Sequence, residues 1–182
     1  MALMLTDRQL VALACSGDVE SFGVLVDRHR LLALRLAYAI VGDEAEDAVQ
    51  DAFLKAFRKL ASFRDDLEFA PWLYTIVLNE SRNRRRSLTR RHRLEIKVQH
   101  VDETVASAED SASLEMERQR VCMAVARLNE RDREIVALRF FLGLSEAEAA
   151  LAIGRPAGTA KSRLSRALGR LQDIMEGEVD AG

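Results

Sequence analysis

The sequence has few residues of the kinds that break helices, crosslink chains or cross membranes. Only two prolines occur among 182 residues, β-branched alternation is rare, and alanine, leucine, glutamate and arginine are abundant, which together predict an all-α protein. Cys15 and Cys122 lie far apart without metal-ligand spacing, so we expect free thiols in a reducing cytoplasm rather than a redox pair. No apolar run reaches the roughly 20 residues of a membrane helix, and the charge at Asp7 comes too early for a signal peptide.

Motifs for bond chemistry are absent as well. The sequence holds no phosphate-binding glycine loop, no catalytic triad and no cluster of histidines with cysteines, so we expect no enzymatic activity, no cofactor and no metal. The net charge of only −2 excludes a uniformly basic nucleic-acid coat, but the charges are segregated. Residues 43–51 hold five acids and no base, 82–97 hold eight bases against one acid, and 155–170 hold five bases and no acid. Such blocks indicate distinct contact surfaces, with solvated helix faces as the alternative.

Residues 144–170 have the pattern of a helix-turn-helix. Ser145 and Glu148 have capping-box spacing, which predicts a helix that starts after Ser145. Gly154 predicts its end, because glycine takes the left-handed conformation at low cost, and Pro156 suits the start of a second helix. Ala150 is small enough for the two helices to pack closely. The combination is typical of a DNA-binding motif.

The second helix of this motif gathers its polar residues on one arc. At 100° per residue, alanines and leucines face one way. The opposite arc holds Thr159, Lys161, Ser162, Ser165 and Arg166, with Arg163 and Arg170 at its margin. Long cationic donors and short hydroxyls are the side chains that read base edges and grip phosphates in the major groove. An ordinary surface helix with a solvated basic face is the alternative.

An acidic amphipathic helix is predicted over residues 45–57. Its periodicity buries Val49, Phe53, Leu54 and Phe57. The same periodicity exposes Glu46, Asp47, Gln50 and Asp51.

The next helix, predicted to open at Pro71, has an aromatic first half and a basic second half. Phe63, Phe69, Trp72 and Tyr74 lie within twelve positions, just before Asn79 and a run of arginines. Aromatic rings that stack on bases beside arginines that track phosphates are what single-stranded nucleic acid requires, and an apolar rim with amides suits an unstacked base. The alternative is that Phe69, Trp72 and Tyr74 simply fill a helical core.

A polar, acidic stretch over residues 98–113 reads as a flexible linker. It predicts two small helical domains, residues 1–97 and 114–182. Fully extended, the linker would span roughly 50 Å. That exceeds one turn of DNA, about 34–36 Å, so the two domains can occupy separate DNA sites.

Two segments together carry a specific family resemblance. GDEAEDAVQDAFLKAFRKLASFRDDLEFAPWLYTIVLNESRN resembles sigma region 2, and ARLNERDREIVALRFFLGLSEAEAALAIGRPAGTAKSRLSRALGRL resembles sigma region 4 with its helix-turn-helix. Over roughly residues 5–172, the chain resembles the extracytoplasmic-function (group 4) sigma factors of bacterial RNA polymerase, in the sigma-70 family. The resemblance implies a cytoplasmic promoter-specificity subunit that recruits core polymerase and assists promoter opening, usually under the control of an anti-sigma factor.

The resemblance also implies roles for individual residues. Asp47, Gln50 and Asp51 would dock the β′ clamp helices of the polymerase, whose β subunit is a further expected partner. The −10 element, with a flipped non-template base, would be engaged by Phe63, Arg64, Trp72, Asn79 and Asn83. The DNA backbone at the melted edge would be contacted by Arg82, Arg84, Arg85 and Arg86. The −35 element would be read by Lys161, Ser162, Ser165 and Arg166, while Thr159 and Arg163 grip phosphates.

Two interpretations from other classes remain open on the sequence alone. A stand-alone helix-turn-helix regulator would bind duplex DNA tightly without polymerase, and its N-terminal half would sense or dimerise. The second interpretation is a helical adaptor without a DNA role. The basic stretch over residues 155–170, which holds no acid, argues against this interpretation.

Overall fold

The computed structural model describes residues 5–63, 68–95, 120–121 and 123–179. Within these ranges the chain is helical and contains no strand, which confirms the predicted all-α class. The helices are α1 (Asp7–Cys15), α2 (Val19–Val41), α3 (Ala45–Lys59), α4 (Phe69–Glu95), α5 (Glu130–Val136), α6 (Glu146–Ile153) and α7 (Ala157–Val179). None of the helices so described combines the length and the hydropathy that a membrane crossing requires. The predicted linker, Arg64 and Cys122 lie outside the described residues.

The N-terminal domain, α1–α4, begins with two well-capped helices. Thr6 caps α1 in a capping box: the Gln9 N–H donates to Thr6 Oγ1 at 3.3 Å and the Thr6 N–H donates to Gln9 Oε1 at 2.8 Å. Asp18 caps α2 by accepting from the N–H groups of Glu20 and Ser21. α4 begins two residues before Pro71, because the first turn of a helix tolerates a residue without an N–H.

A buried polar network joins α1, α2 and α4 inside this domain. His29 is 7% exposed, and its Nε2 lies 2.7 Å from Asp7 Oδ2 while its Nδ1 lies 3.2 Å from the Tyr74 hydroxyl. Burial, and secondarily the charge of Asp7, raises the pKa of Tyr74 to about 12. Each polar group in the network has a partner, so three helices are held in register without an unpaired buried donor.

In the C-terminal domain the helix-turn-helix forms where it was predicted. The Ser145 N–H donates to Glu148 Oε2 at 2.6 Å, and the Glu148 N–H donates to Ser145 Oγ at 3.3 Å, which closes the capping box at the start of α6. Gly154 ends α6 with φ at +64°, and the Arg155 N–H bonds back to the Ala150 carbonyl at 3.0 Å. Ala150 is 4% exposed, as close packing of the two helices requires.

The two domains pack against each other rather than standing apart. α4 contacts α6. α2 contacts α5 and also the π-helical segment Ala137–Phe141, which directly follows α5 in the chain. The buried residues of both domains form one continuous cluster. Arg133 of α5 donates from Nη1 to the Ala39 carbonyl of α2 at 3.4 Å. We call this contact region the seam, and the packed state the closed arrangement.

Candidate nucleic-acid and polymerase interfaces

The acidic face of α3 is exposed, as predicted, but it is tied to α4. Asp47, Gln50 and Asp51 face solvent. Arg84 of α4 donates from Nε to Glu44 Oε2 at 2.7 Å, from Nη1 to Asp51 Oδ2 at 3.0 Å, and from Nη2 to Asp47. The hydrogen bond to Glu44, followed by the charges of Asp47 and Glu44, raises the pKa of Arg84 further. The structure therefore brings an arginine of the predicted DNA set together with two residues of the predicted polymerase set.

Beside this acidic face, α2 and α3 enclose an apolar groove of about 500 Å³. Gln50 and Glu46 lie at its border, and Phe22, Val49 and Phe53 line it. The prediction that α3 buries Leu54 and Phe57 is wrong, because these side chains are 50% and 42% exposed along the groove. α3 instead packs into the core through an alanine-rich face at 45, 48, 52 and 56, together with Val49 and Phe53.

An aromatic cluster lies where the loop after α3 meets the start of α4. The Phe63 ring lies 5.0 Å from Trp72 and 6.0 Å from Phe69, and Phe69 lies 5.7 Å from Trp72. Phe69 and Tyr74 are each 2% exposed, so these two fill the core, as the alternative interpretation proposed. Phe63 and Trp72 are only half-buried, which leaves aromatic surface accessible next to the basic helix.

Amide side chains continue the face of α4 that carries Trp72. Asn79 and Asn83 follow at helical spacing, and both are exposed. Asn79 Oδ1 accepts from Arg82 Nη1 at 3.3 Å. Asn83 borders a polar hollow of about 230 Å³ that Glu44, Asp51 and Glu80 also line. Trp72 and the two amides thus follow one another along one side of α4.

The four arginines predicted to contact the DNA backbone diverge around α4. Arg82 crosses the seam to Glu134 of α5, and Arg84 points to α3. Arg85 has a buried Nη1 without a hydrogen-bond partner among the described residues, while Arg86 is exposed at the edge of the seam. The four arginines are neighbours in the sequence, but successive helical residues point in different directions. Arg82 and Arg86 therefore lie at the seam cleft, Arg84 lies against α3, and Arg85 is partly buried.

The polar arc of α7 forms a continuous exposed surface. Its members Thr159, Lys161, Ser162, Ser165 and Arg166 all face solvent. Ser162 Oγ donates to the Thr159 carbonyl at 3.1 Å, and Arg166 Nε donates to the Ser162 carbonyl at 3.1 Å, so both side chains lie along the helix surface. Arg163 departs from this set, because it is half-buried and lines the seam.

Several residues of these surfaces were missed from the sequence. Glu134 is 2% exposed and accepts two hydrogen bonds from Arg82; the pair is 52 positions apart in the chain. Glu44 precedes α3 and holds Arg84. Asp132 is buried at the start of α5 and pairs with Arg170 of α7. In the described part of the chain no group of three or more potential metal ligands occurs.

Both halves of the chain match known family models. Residues 25–91 match sigma-70 region 2, and residues 118–171 match sigma-70 region 4. The first match covers the helices that carry the aromatic and acidic surfaces, and the second covers the helix-turn-helix.

Curated relatives and solved structures give the same family over nearly the whole chain. The ECF RNA polymerase sigma-E factor of Escherichia coli K12 is 35% identical over 178 residues, which is 92% of this chain and 93% of that protein. The solved structure of CnrH, in complex with the cytosolic domain of CnrY, is 28% identical with a TM-score of 0.71 and covers 94% of this chain and 97% of its own. The sigma factor RpoE of Bartonella quintana, solved with the anti-sigma factor NepR, is 30% identical with a TM-score of 0.69. The match covers 84% of this chain and 96% of that one. This chain therefore belongs to the sigma-70 family, as an extracytoplasmic-function RNA polymerase sigma factor.

Proposed function

We propose that this sigma factor binds core polymerase through α3, engages the −10 element through α4 and reads the −35 element through α7. The observation that supports the division is the placement of the three predicted sets. The polar arc of α7 lies on the C-terminal domain, apart from the exposed residues of α3 and α4. On the N-terminal domain, Asn83 of α4 and Asp51 of α3 line one hollow, whereas Trp72 and Asn79 line neither that hollow nor the groove. A protein that must hold polymerase and two DNA elements at once needs such separation, and it needs no bond chemistry of its own.

The polymerase-docking surface combines the acidic face with the neighbouring groove. Asp47, Gln50 and Asp51 supply exposed charge and an amide, and the groove supplies apolar area at Leu54 and Phe57. Interfaces of this kind combine an apolar centre with a polar rim that steers association. A partner with basic residues beside an apolar strip complements this surface, and the family resemblance suggests the clamp helices of the β′ subunit for that role.

The −10 surface relies on the half-buried rings rather than on the whole arginine run. Phe63 and Trp72 offer stacking area, and Asn79 and Asn83 offer amide donors and acceptors about two and three helical turns after Trp72. These are the groups that hold an unstacked base. Arg86 is free to meet a phosphate at once, whereas Arg82 and Arg84 first have to leave their carboxylate partners.

Apart from Arg163, the −35 surface is exposed in the closed arrangement. Lys161 has no ion-pair partner among the described residues, and the serines beside it are exposed. Lys161 and Arg166 carry the donors that reach guanine edges, while Thr159 positions the helix on phosphates.

The exposed groove between α2 and α3 is also a surface at which an anti-sigma factor can control this protein. RpoE of Bartonella quintana, which shares this fold, was solved with one. A partner that covers the groove between α2 and α3 would block polymerase docking without touching α7. Because polymerase and promoter are its targets, the cytoplasm is the compartment in which we propose that the protein acts.

The docking assignment is tested by measuring core-polymerase affinity of Asp47→Ala/Asp51→Ala. We expect a loss of about tenfold or more, because close interfacial charge pairs are removed. Arg84 keeps Glu44 as a partner in this variant, and circular dichroism verifies that the variant is folded. Asp27→Ala/Asp173→Ala removes the same charge from exposed positions on α2 and α7 and serves as the control. Equal affinity of both variants would place the docking surface elsewhere.

A further inference from the structure

The seam contains a cleft in which arginines from both domains converge. It has a volume of about 280 Å³. Five arginines line it, two from α4 and three from the C-terminal domain: Arg82, Arg86, Arg131, Arg155 and Arg163. Glu130 and Glu134 are the acids that line it, which leaves an excess of three positive charges.

Four of the five guanidinium groups have no carboxylate partner among the described residues. Glu134 is fully engaged by Arg82, with Arg82 Nε to Oε1 and Nη2 to Oε2 both at 2.6 Å. Arg86, Arg131, Arg155 and Arg163 make no ion pair in the described part of the chain. Like charges held around one cleft repel each other, and an anion between them removes that repulsion.

Two further arginines, Arg85 and Arg133, lie near each other outside the residues that line the cleft. Arg133 and Arg85 approach each other across the seam, and burial together with the charge of Arg85 lowers the pKa of Arg133. Arg85 Nη1 and Arg133 Nε are both buried without a hydrogen-bond partner among the described residues. Unsatisfied buried donors of one charge on both sides of an interface are uncommon unless an anion or water completes them.

We propose that this cleft binds a small ligand with two or three adjacent phosphate groups and that the bound ligand holds the closed arrangement. Guanidinium forks match phosphate oxygens in pairs, and several forks around one cleft suit a run of phosphates. The cleft is at the small end of ligand pockets, so a compact polyphosphate fits where a DNA duplex does not. Because the arginines come from both domains, the ligand bridges them and stabilises the state that it binds.

A consequence for promoter binding rests on the proposed function. Arg82, Arg86 and Arg163 belong to the predicted DNA set, so a ligand in the cleft competes with promoter phosphates for them. Arg131 and Arg155 lie outside that set, so substituting them tests the cleft while leaving the proposed DNA contacts in place.

The test is isothermal titration calorimetry of the full chain with tripolyphosphate at low salt. The cleft variant is Arg131→Gln/Arg155→Gln, and the matched control is Arg8→Gln/Arg35→Gln, which removes the same charge from exposed positions on α1 and α2. We expect one tripolyphosphate per chain, orthophosphate binding at least tenfold weaker, and a loss of about tenfold or more in the cleft variant only. All four substituted arginines are exposed or at the rim, and circular dichroism verifies that each variant is folded.

Two further arms separate the sources of the phosphate. Equal affinities for ATP and tripolyphosphate would identify the run of phosphates as the recognised group. A clear preference for ATP would indicate that the nucleoside is bound as well. Either result supports the proposal that the cleft binds a polyphosphate. A 12-nucleotide single strand that binds while tripolyphosphate does not would overturn the proposal. So would equal tripolyphosphate affinity of the cleft and control variants. The assay contains neither polymerase nor promoter, so its failure leaves the proposed function untouched.

Discussion

Arg82 and Glu134 form a two-point ion pair that joins the domains of this sigma factor. Arg82 Nε and Nη2 donate to the two carboxylate oxygens of Glu134, each at 2.6 Å. The Glu134 side chain is 2% exposed and that of Arg82 is 21% exposed. The hydrogen bond to Glu134 raises the pKa of Arg82 against the opposing effect of burial. Arg82, which is proposed to contact promoter DNA, is thus held inside the contact between the two domains.

We expect the pair to contribute strongly to the closed arrangement. Removing one partner of a buried pair leaves an unpaired charge and costs about 3–5 kcal/mol, with the lower end expected here because Arg82 is partly exposed. Arg82→Ala, Glu134→Ala and the double variant form a cycle in chemical denaturation. The free energy of unfolding should fall by less in the double variant than the sum of the single losses. Strictly additive losses would mean that the two side chains do not act on each other.

The exposed arc of α7 should carry upstream promoter recognition. Lys161→Ala/Arg166→Ala removes two long donors, and each specific contact to a base edge is worth about 1–3 kcal/mol. We expect binding to the promoter's −35 element to fall by about tenfold or more while core-polymerase affinity stays unchanged, measured by fluorescence anisotropy. Arg8→Ala/Arg35→Ala is the control with equal charge loss. A parallel loss of polymerase affinity would contradict the separation of the two surfaces.

The capping box at Ser145 should stabilise the helix-turn-helix. Ser145→Ala removes an N-cap, so we expect a loss of about 1 kcal/mol in the free energy of unfolding. Hydrogen bonds from Ser145 lower the pKa of Glu148 below its usual 4.5, so the stabilisation is present above pH 4.5 and is lost as the pH falls further. Denaturation of the wild type and the variant should therefore differ most at pH 7, and the difference should narrow toward pH 3, where only the bond from the Glu148 N–H to Ser145 Oγ remains. Ser87→Ala, at an exposed position of α4, is the control. A difference that persists undiminished at pH 3 would show that Glu148 is not part of the cap.

The buried Tyr74 should give the protein an alkaline limit. Its pKa is raised from 10 to about 12, so the unfolded chain loses this proton first and stability declines as the pH rises between those values. Tyr74→Phe leaves His29 Nδ1 without a partner and should cost about 1–3 kcal/mol at pH 7, yet show a shallower decline above pH 10. Tyr38 is 54% exposed, so Tyr38→Phe is the matched control. Parallel alkaline curves for Tyr74→Phe and the wild type would disprove the assignment.

Local signals in the sequence were sufficient for the helix-turn-helix and for the exposed faces of α3 and α7. The capping pair, Gly154 and the spacing of polar residues act within a few positions of one another, so they can be recognised without knowledge of the fold. The same reasoning located the aromatic cluster but could not decide which rings are buried. Phe69 and Tyr74 lie in the core, whereas Trp72 lies at its edge.

Contacts between distant helices could not be derived in this way. Leu54 and Phe57 have the spacing of buried residues, yet α2 and α4 cover a different face of α3 and leave them at the groove. Arg82 and Arg84 read as equivalent members of a basic run, but their partners lie 52 and 33–40 positions away on opposite sides of α4. Packing within the N-terminal domain decides the roles of Leu54, Phe57 and Arg84, and the closed arrangement decides that of Arg82. No short pattern in the chain encodes either.

The central claim is best tested by transcription in vitro from a promoter library, with bacterial core RNA polymerase alone and with this protein added. We expect defined start sites that occur only in its presence, preceded by two shared sequence elements, with the upstream element no longer selected by Lys161→Ala/Arg166→Ala. The contradicting result is a set of transcripts that does not depend on the protein, together with tight binding of duplex DNA by the protein alone. That outcome would favour a stand-alone helix-turn-helix regulator.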